Sequence, residues 1–124
     1  MKTALLVSLG SAIGGICRYG MSVWMAPAKS GFPLATFAVN VLGCALIGAL
    51  TAFAVKGAVS SDLRFFLGAG ILGGFTTFSA FANESVALLR EGQTTTAAIY
   101  ISASVIAGLL CAFAGYAAFI RQGI

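Results

Sequence analysis

Histidine is absent from this chain of 124 residues, and charge is scarce: seven Lys and Arg, three Asp and Glu, 8% of the sequence. A soluble domain carries roughly 25% charged residues. So few charges cannot cover a water-exposed surface, which excludes a cytosolic globule, a disordered segment and a coiled coil. With no histidine and no nucleophile set beside a base, the usual equipment of an enzyme is missing as well. Cys17, Cys44 and Cys111 lie singly inside apolar runs, where a thiol packs as a small hydrophobe, and their spacing fits neither zinc nor a disulfide framework. The net charge of +4 is spread one residue at a time, so no basic patch for nucleic acid forms.

What the chain has instead is apolar length. Hydrophobic residues make up 60% of it, gathered into four runs at about 3–25, 34–55, 65–89 and 95–120. A bilayer core about 30 Å thick takes about 20 apolar residues per helical crossing. The expected fold class is therefore an all-α membrane protein with four transmembrane helices in a single domain. The runs are too long, and alternate too little, for barrel strands. Short connectors carry the breakers: Pro27, Gly31 and Pro33, then Gly57 and Ser60, then Gly92. Ser61 and Asp62 are placed to cap the third helix, and Gly92 to end it.

Four crossings put Lys2, Lys56, Arg64 and Arg121 on one side and Arg18, Lys29 and Arg90 on the other. Orientation follows Lys and Arg in short connectors, and four against three is close to no instruction. Dual insertion is one reading, and a fixed orientation set by one or two dominant residues is the other. No repeat links the two halves, so inverted symmetry of the kind larger transporters build internally would here come from pairing two copies.

Several polar residues fall at membrane depth. Gly10, Gly14 and Arg18 share one face of the first helix, and Arg18 either ends a close-packing surface or snorkels to the interface. Asn40 lies two turns into the second helix on a stripe continued by Gly43, Cys44, Gly48 and Thr51. Its amide either bonds a neighbouring helix or offers its NH₂ to a passing ion. Tyr100, Ser104 and Gly108 recur once per turn on the fourth helix. In the third, Gly73, Gly74, Thr76 and Thr77 combine backbone entropy with β-branching, so a mid-span break is expected there. Broken backbone within a membrane must be buried in protein or line a cavity, and its freed carbonyls suit a hard cation. Phe75, Phe78 and Phe81 follow every third residue, a packing stripe on the simplest reading. Glu84 beyond them needs a partner or a watery vestibule.

The run GGFTTFSAF from Gly73 to Phe81, with Asn40 in AVNVLG and Gly14 to Arg18 as GGICR, resembles the Fluc (CrcB) family of bacterial fluoride channels along the full chain. That resemblance implies a multi-pass protein of the bacterial cytoplasmic (inner) membrane, an antiparallel dual-topology homodimer with two fluoride pathways and a structural sodium ion at its centre. It implies that the carbonyls of Gly73 and Thr76 hold the sodium ion and that Asn40, Phe78 and Phe81 line the pathways. Tyr100 and Ser104 match the family's polar track, Glu84 its vestibule acid and Arg18 its basic position. Ala80 and Gly108 depart from the family pattern, standing where threonine and a further hydroxyl are often found.

The residue chemistry agrees with that implication. Fluoride is small and tightly hydrated, so a pore must replace its water with donors, and the Asn40 amide and the Ser79, Ser104 and Tyr100 hydroxyls are neutral donors that also permit exit. Aromatic rings present positive edges, which gives Phe78 and Phe81 a role beyond packing. The alternative, a small multidrug-type dual-topology transporter, needs a carboxylate in its first helix, and this one carries only Arg18. A membrane scaffold would need none of these features together.

Overall fold

The computed structural model describes residues 1–25 and 28–122; Pro27, one of the expected breakers, lies outside them. Helix α1 spans Lys2–Trp24 and α2 Leu34–Val55; a third span is assembled from α3 (Ser61–Arg64), a π-helical stretch (Phe65–Leu72), α4 (Gly73–Phe75) and α5 (Phe78–Arg90); α6 spans Thr94–Ile120. Four helical units, the third taken whole as Ser61–Arg90, are long and apolar enough to cross a membrane.

The ends of these helices follow from local chemistry. Gly57 (φ 70°) ends α2 by letting Ala58 N–H reach Phe53 C=O at 2.9 Å, and Gly92 (φ 75°) ends α5 by letting Gln93 N–H reach Leu88 C=O at 2.9 Å. Both are left-handed caps that a side chain would strain. The third span begins at Ser61 rather than near residue 65, because Ser60, not Ser61 or Asp62, is its cap: Ser60 Oγ accepts from Leu63 N–H at 3.2 Å.

The helices pair in parallel, and glycine sets how closely. A Cβ on Gly10 would lie 2.5 Å from Phe66 O, one on Gly14 2.0 Å from Ile71 O, and one on Gly74 2.4 Å from Ser11 O, so α1 and the third span meet backbone to backbone. Likewise Gly48 abuts Ala112 O and Gly115 abuts Ala45 O, which joins α2 to α6. Without a hydrophobic drive between helices in lipid, such close approach carries the association. Lysines tie each pair at the same end: Lys2 pairs with Asp62, and Lys56 Nζ donates to Phe119 O at 2.5 Å and to Gln122 O. Leu5, Leu9, Ile13 and Ile16 point outward from α1, as a lipid-facing surface requires.

Gly14→Ala should therefore lower the thermal midpoint in detergent, by the equivalent of about 1–3 kcal/mol for an overpacked contact. Gly15→Ala, where a Cβ meets nothing within 4 Å, should leave it unchanged. Equal midpoints for the two variants would remove the close-packing account.

Candidate functional site

The third span opens within the expected stretch, at its threonines and not at its glycines. Gly73 and Gly74 remain helical, and the extended residues are Thr76 (φ −83°, ψ 158°) and Thr77 (φ −153°, ψ 112°). β-Branching, more than glycine entropy, decides where the helix stops. The glycines admit the neighbour instead: Gly74 takes the backbone of α1 at Ser11. The π-helical winding before the break had no sequence signal, since FFLGAGIL reads equally well as an ordinary apolar helix.

Neighbouring helices hold the break from two sides. Asn40 of α2 accepts from Thr77 N–H at 2.8 Å and donates to Thr77 C=O at 3.1 Å, a two-point latch on one residue's backbone. Arg18 of α1 donates from Nε to Gly74 C=O at 3.1 Å. Of the two readings of Arg18, the geometry takes the inward one, and its side chain reaches the break rather than the interface. Of the two for Asn40, it takes the helix bond, though an amide has two N–H donors and Thr77 engages only one.

Two further carbonyls lose their ordinary partners here. The amide that would close on Gly73 C=O is that of Thr77, which is turned to Asn40; the one for Thr76 C=O is that of Ala80, which donates to Thr77 Oγ1 at 3.2 Å. Oxygens freed in this way are of the kind that suit a hard cation. Among the described residues no cluster of three His, Cys, Asp or Glu side chains could hold a metal.

A groove of about 580 Å³ runs beside the break between α2, the third span and α6. Asn40, Phe78, Phe81 and Ser104 line it together with Gly73 and Thr76. Ser104 Oγ is buried and, among the described residues, is without a hydrogen-bond partner. A serine in a helix usually bonds back to its own backbone, and this one does not. Phe78, 80% exposed, and Phe81 stand 5.5 Å apart between ring centres.

The other sequence candidates fall elsewhere. Ser79 is exposed outside the groove, 3.4 Å from Thr77 Oγ1. Tyr100 is fully buried, packed on Phe32 and Phe81, and its hydroxyl donates to Glu84 Oε2 at 2.7 Å. The hydroxyl expected to face an ion is thus bonded to a carboxylate. Glu84 finds its partner in that hydroxyl and in Thr36, which donates to Oε1 at 2.7 Å. Thr36 was missed, although it lies one turn before Asn40 on the same face of α2, and extending the polar stripe backwards would have found it.

Four apolar spans, one of them broken at membrane depth beside a groove whose Ser104 hydroxyl has no partner among the described residues, define a multi-pass membrane protein organised around an interrupted helix. A family model described as CrcB-like protein, Camphor Resistance (CrcB), matches residues 5–116, and the chain belongs to that family. Curated relatives include proteins named fluoride-specific ion channel FluC from Thermus thermophilus (46% identical, covering 90% of this chain and 89% of the relative), Methylobacillus flagellatus (45%; 94% and 93%) and Rhizobium meliloti (46%; 94% and 95%). Their named function is ion conduction and not catalysis, in line with a chain lacking histidine and a paired nucleophile.

Proposed function

We propose that the chain conducts fluoride passively through the groove between Asn40 and Ser104, as one half of an antiparallel dual-topology homodimer in the bacterial cytoplasmic membrane, and so lowers cytoplasmic fluoride. The observation that carries this reading is the buried Ser104 hydroxyl, without a partner among the described residues, in the same groove as an Asn40 amide with one N–H to offer. Leaving a donor unsatisfied at membrane depth is costly, and a small anion that strips its water at that level offsets the cost. The names of the relatives support fluoride as that anion. The Phe78 and Phe81 rings narrow the groove and can turn positive edges to the ion, and Arg18 adds a positive potential at the break.

The dimer is supported by what one copy leaves uncovered. Phe78 is 80% exposed at the lip of the groove, and Gly73 presents bare backbone beside it. Two antiparallel copies would bring their breaks together, and the carbonyls of Gly73 and Thr76 from each would surround a sodium ion, which would offset the cost of burying them. The sodium ion in this reading is structural and is not cargo. Glu84, held by Thr36 and Tyr100 and not among the residues that line the groove, is in this reading a bonded vestibule acid.

Purified protein in liposomes should release fluoride with no requirement for a proton gradient, and should retain chloride far longer. Proton-coupled release of a cationic drug with no fluoride flux would overturn the reading. Dual insertion predicts that C-terminal reporter fusions are active on both sides of the membrane; activity on one side alone would limit the near-balanced basic count to a coincidence.

A further inference from the structure

The groove continues past Asn40 and Ser104, and its polar side chains differ in what they have left to give. Thr76 Oγ1 donates to Leu72 C=O at 3.0 Å, and Thr77 Oγ1 accepts from Ala80 N–H with Ser79 Oγ at 3.4 Å as a partner for its own hydrogen. Asn40 is half engaged, and Ser104 is without a partner among the described residues. The remaining polar lining group is the free thiol of Cys44. It stands one helical turn from Asn40 on α2, a step of about 5.4 Å. Across the groove, Gly108 stands one turn from Ser104 on the parallel α6, and a Cβ built on Gly108 would lie 3.4 Å from Cys44 Sγ. At this second level α6 brings no side chain, and the thiol occupies the space beside its backbone. Ile47, Leu72, Val105 and Leu109 make the surrounding wall apolar.

We propose that the Cys44 S–H is a hydrogen-bond donor of the ion pathway, the station a small anion meets one turn beyond Asn40 and Ser104. This rests on the fluoride-channel reading and deepens it. An ion leaving the first level would otherwise cross a turn of hydrocarbon wall with nothing to replace its water. A thiol is a weak donor. It holds the ion loosely, and a conduction path needs sites that release as readily as they bind. With glycine opposite, no side chain of α6 covers the thiol at this level, and the thiol supplies the hydrogen.

The test is fluoride efflux from liposomes, with dimer recovery by size exclusion followed in parallel. Wild-type protein is assayed first, and failure there sinks the channel reading itself, whereas the comparisons below bear on Cys44 alone. Cys44→Ala should slow efflux about three- to tenfold, the scale of one hydrogen bond, with dimer recovery unchanged. Cys44→Val, which keeps the bulk and lacks the donor, should do the same. Adding Gly108→Ser to Cys44→Ala returns a hydroxyl to that level from the opposite helix and should restore efflux to within about twofold of wild type, a small residue of that one-bond effect. Adding Gly108→Ala restores volume without a donor and should not. Wild-type efflux in Cys44→Ala or Cys44→Val, or rescue by both Gly108 substitutions or by neither, would return Cys44 to packing.

Discussion

Asn40→Asp should reduce fluoride efflux by about a thousandfold, the factor set by the charge it adds. The asparagine, which lines the groove, makes two bonds to the backbone of one residue, accepting from Thr77 N–H and donating to Thr77 C=O, and keeps one N–H unused by Thr77. Aspartate can keep only the first. Its second oxygen would oppose the Thr77 carbonyl, two acceptors facing each other at membrane depth. It also places negative charge on the wall of an anion path, and like charges about 4 Å apart at an effective dielectric of about 20 repel by about 4 kcal/mol, about three orders of magnitude in rate. Asn40→Ala separates these causes, since it removes the latch without adding charge and should retain more flux. Lowering the pH should partly rescue Asn40→Asp, because a protonated carboxyl is neutral and regains one donor. Full flux in Asn40→Asp at neutral pH would take the residue out of the pathway.

That latch also shows where sequence reading stopped. The four spans were legible because apolar runs of about 20 residues admit little else, and Arg18 and Asn40 stood out because polar groups at membrane depth always need a partner. What they bond was not legible, since a partner 37 or 56 residues away depends on how helices pair, and pairing here depends on which glycines face which backbone. Gly10 and Gly14 advertised a packing face, but their target, a π-wound stretch at 65–72, has the composition of any apolar helix. The break falls within the stretch expected for it, at its threonines rather than its glycines, because close packing of Gly74 against α1 keeps the glycine half helical. Glu84 announced a need without naming Thr36. The orphaned Ser104 hydroxyl could not have been read at all, because satisfaction of a donor is a property of the fold.

The largest effect on assembly is expected from Gly73→Val. Glycine is not required there by the chain itself: Gly73 has ordinary helical angles (φ −63°, ψ −37°), and a Cβ would find only Gly68 O, at a comfortable 3.6 Å. A Cβ therefore fits one copy alone, and Gly73→Ala should even favour its helix by about 1 kcal/mol. Gly73 also lines the groove, so a side chain there can slow flux within one copy, but a loss of dimer at this exposed position points to something that approaches from outside. If two breaks meet at a two-fold axis around a cation, side chains on both copies collide with the opposite backbone and crowd the carbonyl ligands. Gly73→Val should then lose most of its dimer on size exclusion and most of its flux, while the helical content of the recovered chain stays at the wild-type level by circular dichroism. The wild-type dimer should itself weaken, or its flux slow, when sodium is replaced by N-methylglucamine, an ion too large for a carbonyl cage. Gly73→Val should show no such dependence, because its cage is already disrupted. A Gly73→Val protein that dimerises and conducts like wild type would mean that nothing approaches this backbone, and that the carbonyls freed by Asn40 and Thr77 face lipid or water instead of a second copy.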